Sequence, residues 1–240
     1  MTRSLIGLLV LSNVLLFVSW RFAIVASDSQ FGDLVTTTSS LDEDGNPTDI
    51  GDVYPQSIPG IARQGMQVYV SMGCISCHTQ QVRLEGFGND LARKWGKRPS
   101  VPRDYIRQSQ PLLGRFRMGP DLANAGTRDE LTQEALYLHL YSPQADSPDS
   151  ICQPNPFLFE VREIEGDKTL GAIDLGNGNE ILPGPRAMKL VAYLRSLRQD
   201  YDLPEMPMQV ELPEDAGAPP TTPPPATAVS GKQENNESKK

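Results

Sequence analysis

Cys74-Ile75-Ser76-Cys77-His78 constrains this chain more than any other stretch of it. Two thiols at this spacing, followed at once by an imidazole, form the arrangement that bonds to the vinyl groups of a haem while the histidine coordinates its iron. The other chemistries open to a CxxC pair fit less well. A thioredoxin-like redox pair expects a βαβ context, which the sequence lacks. A zinc site needs four ligands, and with three cysteines and two histidines in the whole chain only Cys74, Cys77, Cys152 and His139 could supply them. A dinuclear copper centre needs two cysteines and two histidines beyond those in the motif. The expected cofactor is therefore one covalently bound haem c, with Cys74 and Cys77 as attachment points and His78 as the proximal ligand. Cys152 is left as a third thiol in an oxidising compartment, where an odd cysteine has to be explained.

The segment Leu5 to Ala26 reads LIGLLVLSNVLLFVSWRFAIVA. As a helix it would be roughly 33 Å long, enough to cross a bilayer. Arg21 has to reach the headgroups beside Trp20. A cleaved signal peptide, with Val25 and Ser27 before Asp28, is the alternative. Arg3 precedes the span, and Asp28, Asp33, Asp42, Glu43 and Asp44 follow it, so the positive-inside rule puts the body outside the cytoplasm. In a bacterium this means an inner-membrane, single-pass protein with its folded domain in the periplasm.

Residues 1–27 are thus expected to be a transmembrane anchor and 28–58 a Ser-, Thr-, Asp-, Gly- and Pro-rich linker with little regular structure. Residues 59–200 should form the folded domain. Ile61, Gly65, Val68, Tyr69 and Met72 share one helical face, and Gly73 is a stop signal. A second helix should begin near Thr127 or Asp129 and carry Leu131, Ala135, Leu138 and Leu140 up to Ser142-Pro143. In a third, Pro185 suits the first turn and Ala187, Leu190, Val191, Leu194 and Leu197 repeat at helical spacing, with Met188 as core; it should pack on the first. Residues 201–240, which include GAPPTTPPPATA, are expected to be a disordered Pro-rich tail. The fold class expected is mainly α: an N-terminal transmembrane helix followed by a class I-like c-type cytochrome domain with long loops.

Net charge is -8, and residues 201–240 contribute seven acidic against three basic residues, which leaves the body mildly acidic. Nucleic acid, whose phosphates demand a Lys/Arg surface, is excluded as a partner, and a basic protein partner is permitted.

Gly119-Pro120-Asp121-Leu122 resembles the GPxL segment of c-type cytochromes. That resemblance implies that the carbonyl of Pro120 accepts a hydrogen bond from the proximal His78. A narrower resemblance rests on QVYVSMGCISCHTQQVR, LGRFRMGPDLANAG, LYLHLYSP, PDSICQPNPFLFE and LVAYLRSL, taken in that order over roughly Tyr54 to Leu197. Together these look like the membrane-anchored monohaem subunit of cbb-type cytochrome c oxidases. The resemblance implies an electron-transfer subunit, not itself reducing oxygen, with other c-type cytochromes and the haem-copper catalytic subunit as partners. A membrane-anchored cytochrome serving another complex, such as a nitric oxide reductase small subunit or a separate shuttle, is the alternative. A His/Cys-ligated sulfur-oxidising cytochrome is a third reading.

The chain departs from the family pattern at one position. Where the family has Ser-x-Met-Pro, with Met as the distal ligand, this sequence has Ser150-Ile151-Cys152-Gln153. Cys152 is the first candidate for the sixth iron ligand; Met118 and His139 are alternatives, as is an open iron. A thiolate donates more electron density than a thioether and lowers the reduction potential. Arg83, Lys94, Trp95, Lys97 and Arg98 are either partners for the haem propionates or a solvated loop.

Overall fold

A run of apolar residues with no neighbouring strand satisfies its backbone in lipid only as a helix. In the computed structural model, which describes residues 2–30, 34–42 and 44–208, α1 (Thr2–Trp20) passes through a π-helical segment (Arg21–Ala26) into α2 (Ser27–Gln30). Ser4–Ser29 is apolar enough and long enough to cross a membrane, with its apolar window unburied.

The linker has more structure than its composition suggests. β1 (Thr37–Leu41) and β2 (Pro47–Tyr54) pair antiparallel. The Asp42 carboxylate accepts from the backbone N–H groups of Asp44 and Asn46 and so shapes the turn. The strands are polar, so no apolar alternation announces them. Tyr54, at the end of β2, is 4% exposed.

The core is built on α3 (Gly60–Ser71), which starts after Pro59 and gives way to Gly73 in the left-handed region at φ 76°. Its buried face is Ala62, Gly65, Val68 and Tyr69. Thr132 caps α4 (Gln133–Tyr141) by accepting from the Ala135 N–H at 3.1 Å. Thr127, where that helix was expected to begin, lies instead in a 3₁₀ turn at Ala125–Thr127. The short α5 (Pro143–Asp146) follows the Ser142-Pro143 break.

Three antiparallel strands come next: β3 (Phe159–Glu163), β4 (Ile173–Asp174) and β5 (Asn179–Pro183), with β5 central. Phe159 sits edge-on to Tyr137 and Tyr141, which joins the sheet to α4. α6 (Pro185–Ser196) begins with the expected proline and packs on α3, burying Ala187, Leu190, Val191, Tyr193 and Leu194. A Cβ added at Gly65 would lie 1.8 Å from the Lys189 carbonyl oxygen, so the two backbones meet where only hydrogen fits. The expectation of a mainly α chain is met only in part: helices carry the core, and a hairpin and a three-stranded sheet share the rest.

A buried ion pair joins distant parts of the chain. Arg98 (1% exposed) donates to both carboxylate oxygens of Asp104 at 2.7 and 3.1 Å, to the Tyr54 hydroxyl at 3.2 Å and to the Tyr201 carbonyl at 2.6 Å. Tyr54 donates in turn to Asp104 at 2.5 Å and stacks on Tyr201. Residues 201–208, expected to belong to the disordered tail, are docked: Leu203 is fully buried and Glu205 pairs with Arg103. Burial of one leucine and an ion pair holds a segment whose composition resembles that of the tail. The rest of the tail expectation, residues 209–240, lies outside the described residues.

Candidate functional site

Cys74–Ser76 forms a single 3₁₀ turn directly after Gly73, so Cys74 and Cys77 are brought to one side of a tight bend. The backbone N–H groups of Cys77 and His78 both bond to the Cys74 carbonyl, at 3.1 and 3.0 Å. Residues 115–122 run alongside. Arg115, Phe116, Gly119 and Leu122 donate their backbone N–H groups to the carbonyls of Ile75, Ser76, Cys77 and Thr79, respectively. His78 Nδ1 lies 2.9 Å from the Pro120 carbonyl oxygen. A carbonyl can only accept, so Nδ1 carries the proton and Nε2 is the nitrogen offered to a metal.

This register depends on glycine. A Cβ on Gly119 would lie 2.3 Å from Cε1 of His78, and the Cβ of a substituted Gly114 would come within 2.8 Å of the His78 carbonyl oxygen. Asp121, fully buried, fastens the two segments together: it accepts from the Thr79 hydroxyl at 2.5 Å and from the backbone N–H groups of Gln81 and Ala123 at 2.8 Å. On the other side Tyr69 donates its hydroxyl to the His78 carbonyl at 3.0 Å, and Tyr193 bonds the Gln80 side chain. Sequence reasoning passed over Asp121, Tyr69, Gln80 and Tyr193. The available signal was an acidic residue enclosed in the small and apolar run Gly119–Gly126, where only a bonded carboxylate is tolerated.

Cys152 arrives from the loop after α5. Gln144 fixes that loop by donating to the carbonyls of Ser150 and Cys152, at 2.8 and 2.9 Å. Its thiol is near enough to the other two for charge to be felt among them. Burial, then repulsion from Cys152, pushes the Cys74 thiol up to about 11; burial, then Cys77, pushes Cys152 up as well. Burial likewise holds the His78 imidazole below its ordinary value; the Pro120 carbonyl opposes this, and His139 and Arg128 reinforce it. A neutral imidazole is the form that binds a metal.

Cys74, Cys77 and His78 share one turn, with the Pro120 carbonyl on His78, and Cys152 and His139 are near enough to bear on the titration of these groups. Met118 is 57% exposed, its sulfur 4.0 Å from the Cys77 sulfur and two residues before Pro120. Among the described residues no three His, Cys, Asp or Glu side chains are placed to hold a metal ion together. Two thiols and a hydrogen-bonded neutral imidazole on one turn fit a covalent haem.

Part of the basic stretch after the motif is bound internally. Arg83 and Arg117 both pair with the buried Asp90, at 3.0 and 2.6 Å, and Arg98 pairs with Asp104. Trp95 lies under the Arg93 guanidinium. Arg83 and Arg98, expected either to serve haem propionates or to lie in a solvated loop, are engaged in these pairs.

The family model described as cytochrome C oxidase, mono-heme subunit/FixO matches residues 12–175. The match begins inside the apolar helix, includes the Cys74–His78 turn, Pro120 and Cys152, and stops before α6. No curated protein matches the chain.

Proposed function

From the premise that this chain belongs to the FixO family of mono-haem cytochrome c oxidase subunits, we propose that it relays electrons to the haem-copper catalytic subunit of a cbb-type terminal oxidase. In this reading it is a single-pass protein of the bacterial inner membrane, and its haem domain, residues 59–200, faces the periplasm. Cys74 and Cys77 hold one haem c covalently, and His78 is its proximal ligand. The haem, when bound, supplies an iron that takes up and releases one electron at a time.

The chain's own residues do the rest. Pro120 fixes the orientation of His78 and the proton on Nδ1. Asp121 and Tyr69 hold the backbone on either side of that histidine, so that the ligand turns little as charge changes. Cys152 would be the further side chain offered to the iron, a thiol where the family pattern has a thioether. The support is its register in the Ser150–Gln153 segment and its nearness to the motif thiols. Met118 competes poorly, because it sits beside Cys77 on the same short segment as the proximal Pro120.

The observation that carries the reading is the 2.9 Å contact between His78 Nδ1 and the Pro120 carbonyl, on the turn that also presents both thiols. The test is attachment. Expressed with a haem c maturation system, the full chain should retain haem through acid-acetone extraction, and Cys74→Ala with Cys77→Ala should not. Retention by the double variant would end the proposal. Purified from its own membrane, the chain should bring with it a large multi-span protein containing b-type haem, as a separate shuttle would not.

A further inference from the structure

Charge along this chain is reversed just after the Cys74–His78 turn. Residues 83–117 hold nine Lys or Arg against three Asp or Glu, a net of +6 within a chain of net -8. Two of the three acids are occupied internally, Asp90 by Arg83 and Arg117 and Asp104 by Arg98. Within this stretch Arg93, Lys94, Lys97, Arg107 and Arg115 are exposed against Glu85; Asp200 and Glu205 of the C-terminal segment answer Lys97 and Arg103, and Arg115, whose N–H bonds the Ile75 carbonyl, is the cation fixed at the turn.

Apolar side chains emerge in the same region. Phe116 is 55% and Met118 57% exposed. The Phe116 N–H bonds the Ser76 carbonyl, and the Met118 sulfur touches that of Cys77, so both stand at the edge of the turn that carries the thiols. Asp90 ties Arg83 to Arg117 and thereby sets the loop after Arg83, with Leu84 and Phe87 at 51% and 77% exposure, beside that edge. Aromatic, Met and Arg side chains are those enriched where proteins meet, and a ring of one charge sets the approach of the partner.

We propose that this basic, aromatic face is a docking surface for the acidic face of an electron-transfer protein, with Phe116 and Met118 as the apolar contact and Arg107 and Arg115 as steering charges. The inference deepens the proposed function and rests on it. It departs from what net charge permits: a mildly acidic body permits a basic partner, but the charge beside the motif is of the opposite sign, and it is local charge that a docking protein meets.

The test uses the full-length holo-chain in detergent. The probe is a lysine-rich mitochondrial cytochrome c, either native or with its lysines succinylated, which makes one protein available in a basic and an acidic form. The reduced acidic form should transfer its electron faster at low salt, by about tenfold or more, and lose that advantage as ionic strength rises. Arg107→Glu with Arg115→Glu should abolish the preference and weaken calorimetric binding of the oxidised acidic probe, with haem spectrum and reduction potential unchanged; Phe116→Ser should weaken the binding without altering the salt dependence. A faster basic probe, or a preference indifferent to the two Arg substitutions, would overturn the docking surface. So would a double variant that loses binding to phosphatidylglycerol vesicles and keeps its binding of the probe, since the face would then read lipid. A purified chain without covalent haem would instead overturn the reading beneath it.

Discussion

Cys152 is the residue whose chemistry most separates this chain from the family pattern. Burial and the neighbouring Cys77 favour its protonated thiol, so ligation has to draw the proton off, and a thiolate once bound stabilises the oxidised iron. Cys152→Met restores the thioether. It should raise the reduction potential by on the order of a few tenths of a volt, the scale over which axial ligands act, and remove a thiolate signal from the low-temperature electron paramagnetic resonance spectrum of the oxidised protein. An unchanged spectrum and potential would make Cys152 a bystander and send the search to Met118 and His139. Cys74, Cys77 and His78 were legible in sequence because covalent chemistry fixes their spacing. Pro120 was legible only through resemblance, since forty-two residues separate it from the histidine it contacts. Asp121 was legible by neither route. Its carboxylate bonds the Thr79 hydroxyl and the Gln81 N–H, forty-two and forty residues upstream, as well as the nearby Ala123 N–H, and neither the long reach nor a backbone donor shows in residue identity.

At the scale of elements, the helices were readable and the strands were not, for a physical reason. α3 and α6 each lay one apolar stripe against the other, and a stripe at helical spacing survives any loop inserted between the two. β1 is Ser- and Thr-rich and half-buried, and β2 is polar and largely exposed up to Tyr54, so their pairing depends on the turn at Asp42 and on the docking of Tyr54 rather than on an apolar face. β3 does alternate, as Phe159-Glu160-Val161-Arg162-Glu163, but Val161 is half exposed, so alternation there marks no apolar layer. The crossing of α3 and α6 is where sequence and packing agree most closely, and Gly65 is its pivot. Gly65→Ala places a methyl group against the Lys189 carbonyl, backbone that cannot rotate away. Despite the gain in helix propensity, the variant should lose about 1–3 kcal/mol of stability, the usual cost of overpacking. The matching control is Gly60→Ala at the first residue of the same helix, where an added Cβ meets nothing; denaturant unfolding of the two should differ in midpoint, with only the Gly65 variant lowered.

At the scale of the whole molecule, one guanidinium determines whether the chain's outlying segments belong to the folded body. Arg98 reaches β2 through Tyr54, the turn at Pro102–Tyr105 through Asp104, and the C-terminal segment through the Tyr201 carbonyl. Neither partner of the ion pair touches solvent, with side-chain exposures of 1% and 0%. Such a pair adds little over an apolar equivalent while intact, because the attraction has to offset the loss of hydration on both sides. Removing one partner is different, since the other charge stays buried without compensation. Asp104→Asn keeps the shape and withdraws the negative charge from Arg98, so it should cost about 3–5 kcal/mol. Tyr54→Phe withdraws only a hydroxyl from the same cluster and should cost about 0.5–1.5 kcal/mol. Chemical denaturation of the holo-protein would measure both, and limited proteolysis would show where the loss falls. If Arg98 unites the segments, Asp104→Asn should expose sites in residues 34–54 and 201–208 to cleavage before the α3–α6 core opens. A loss below 1 kcal/mol, or cleavage that starts in the core, would mean that hairpin and C-terminal segment are held by Leu203 and the stacked Tyr54–Tyr201 pair, with the buried charges contributing only the choice of partner.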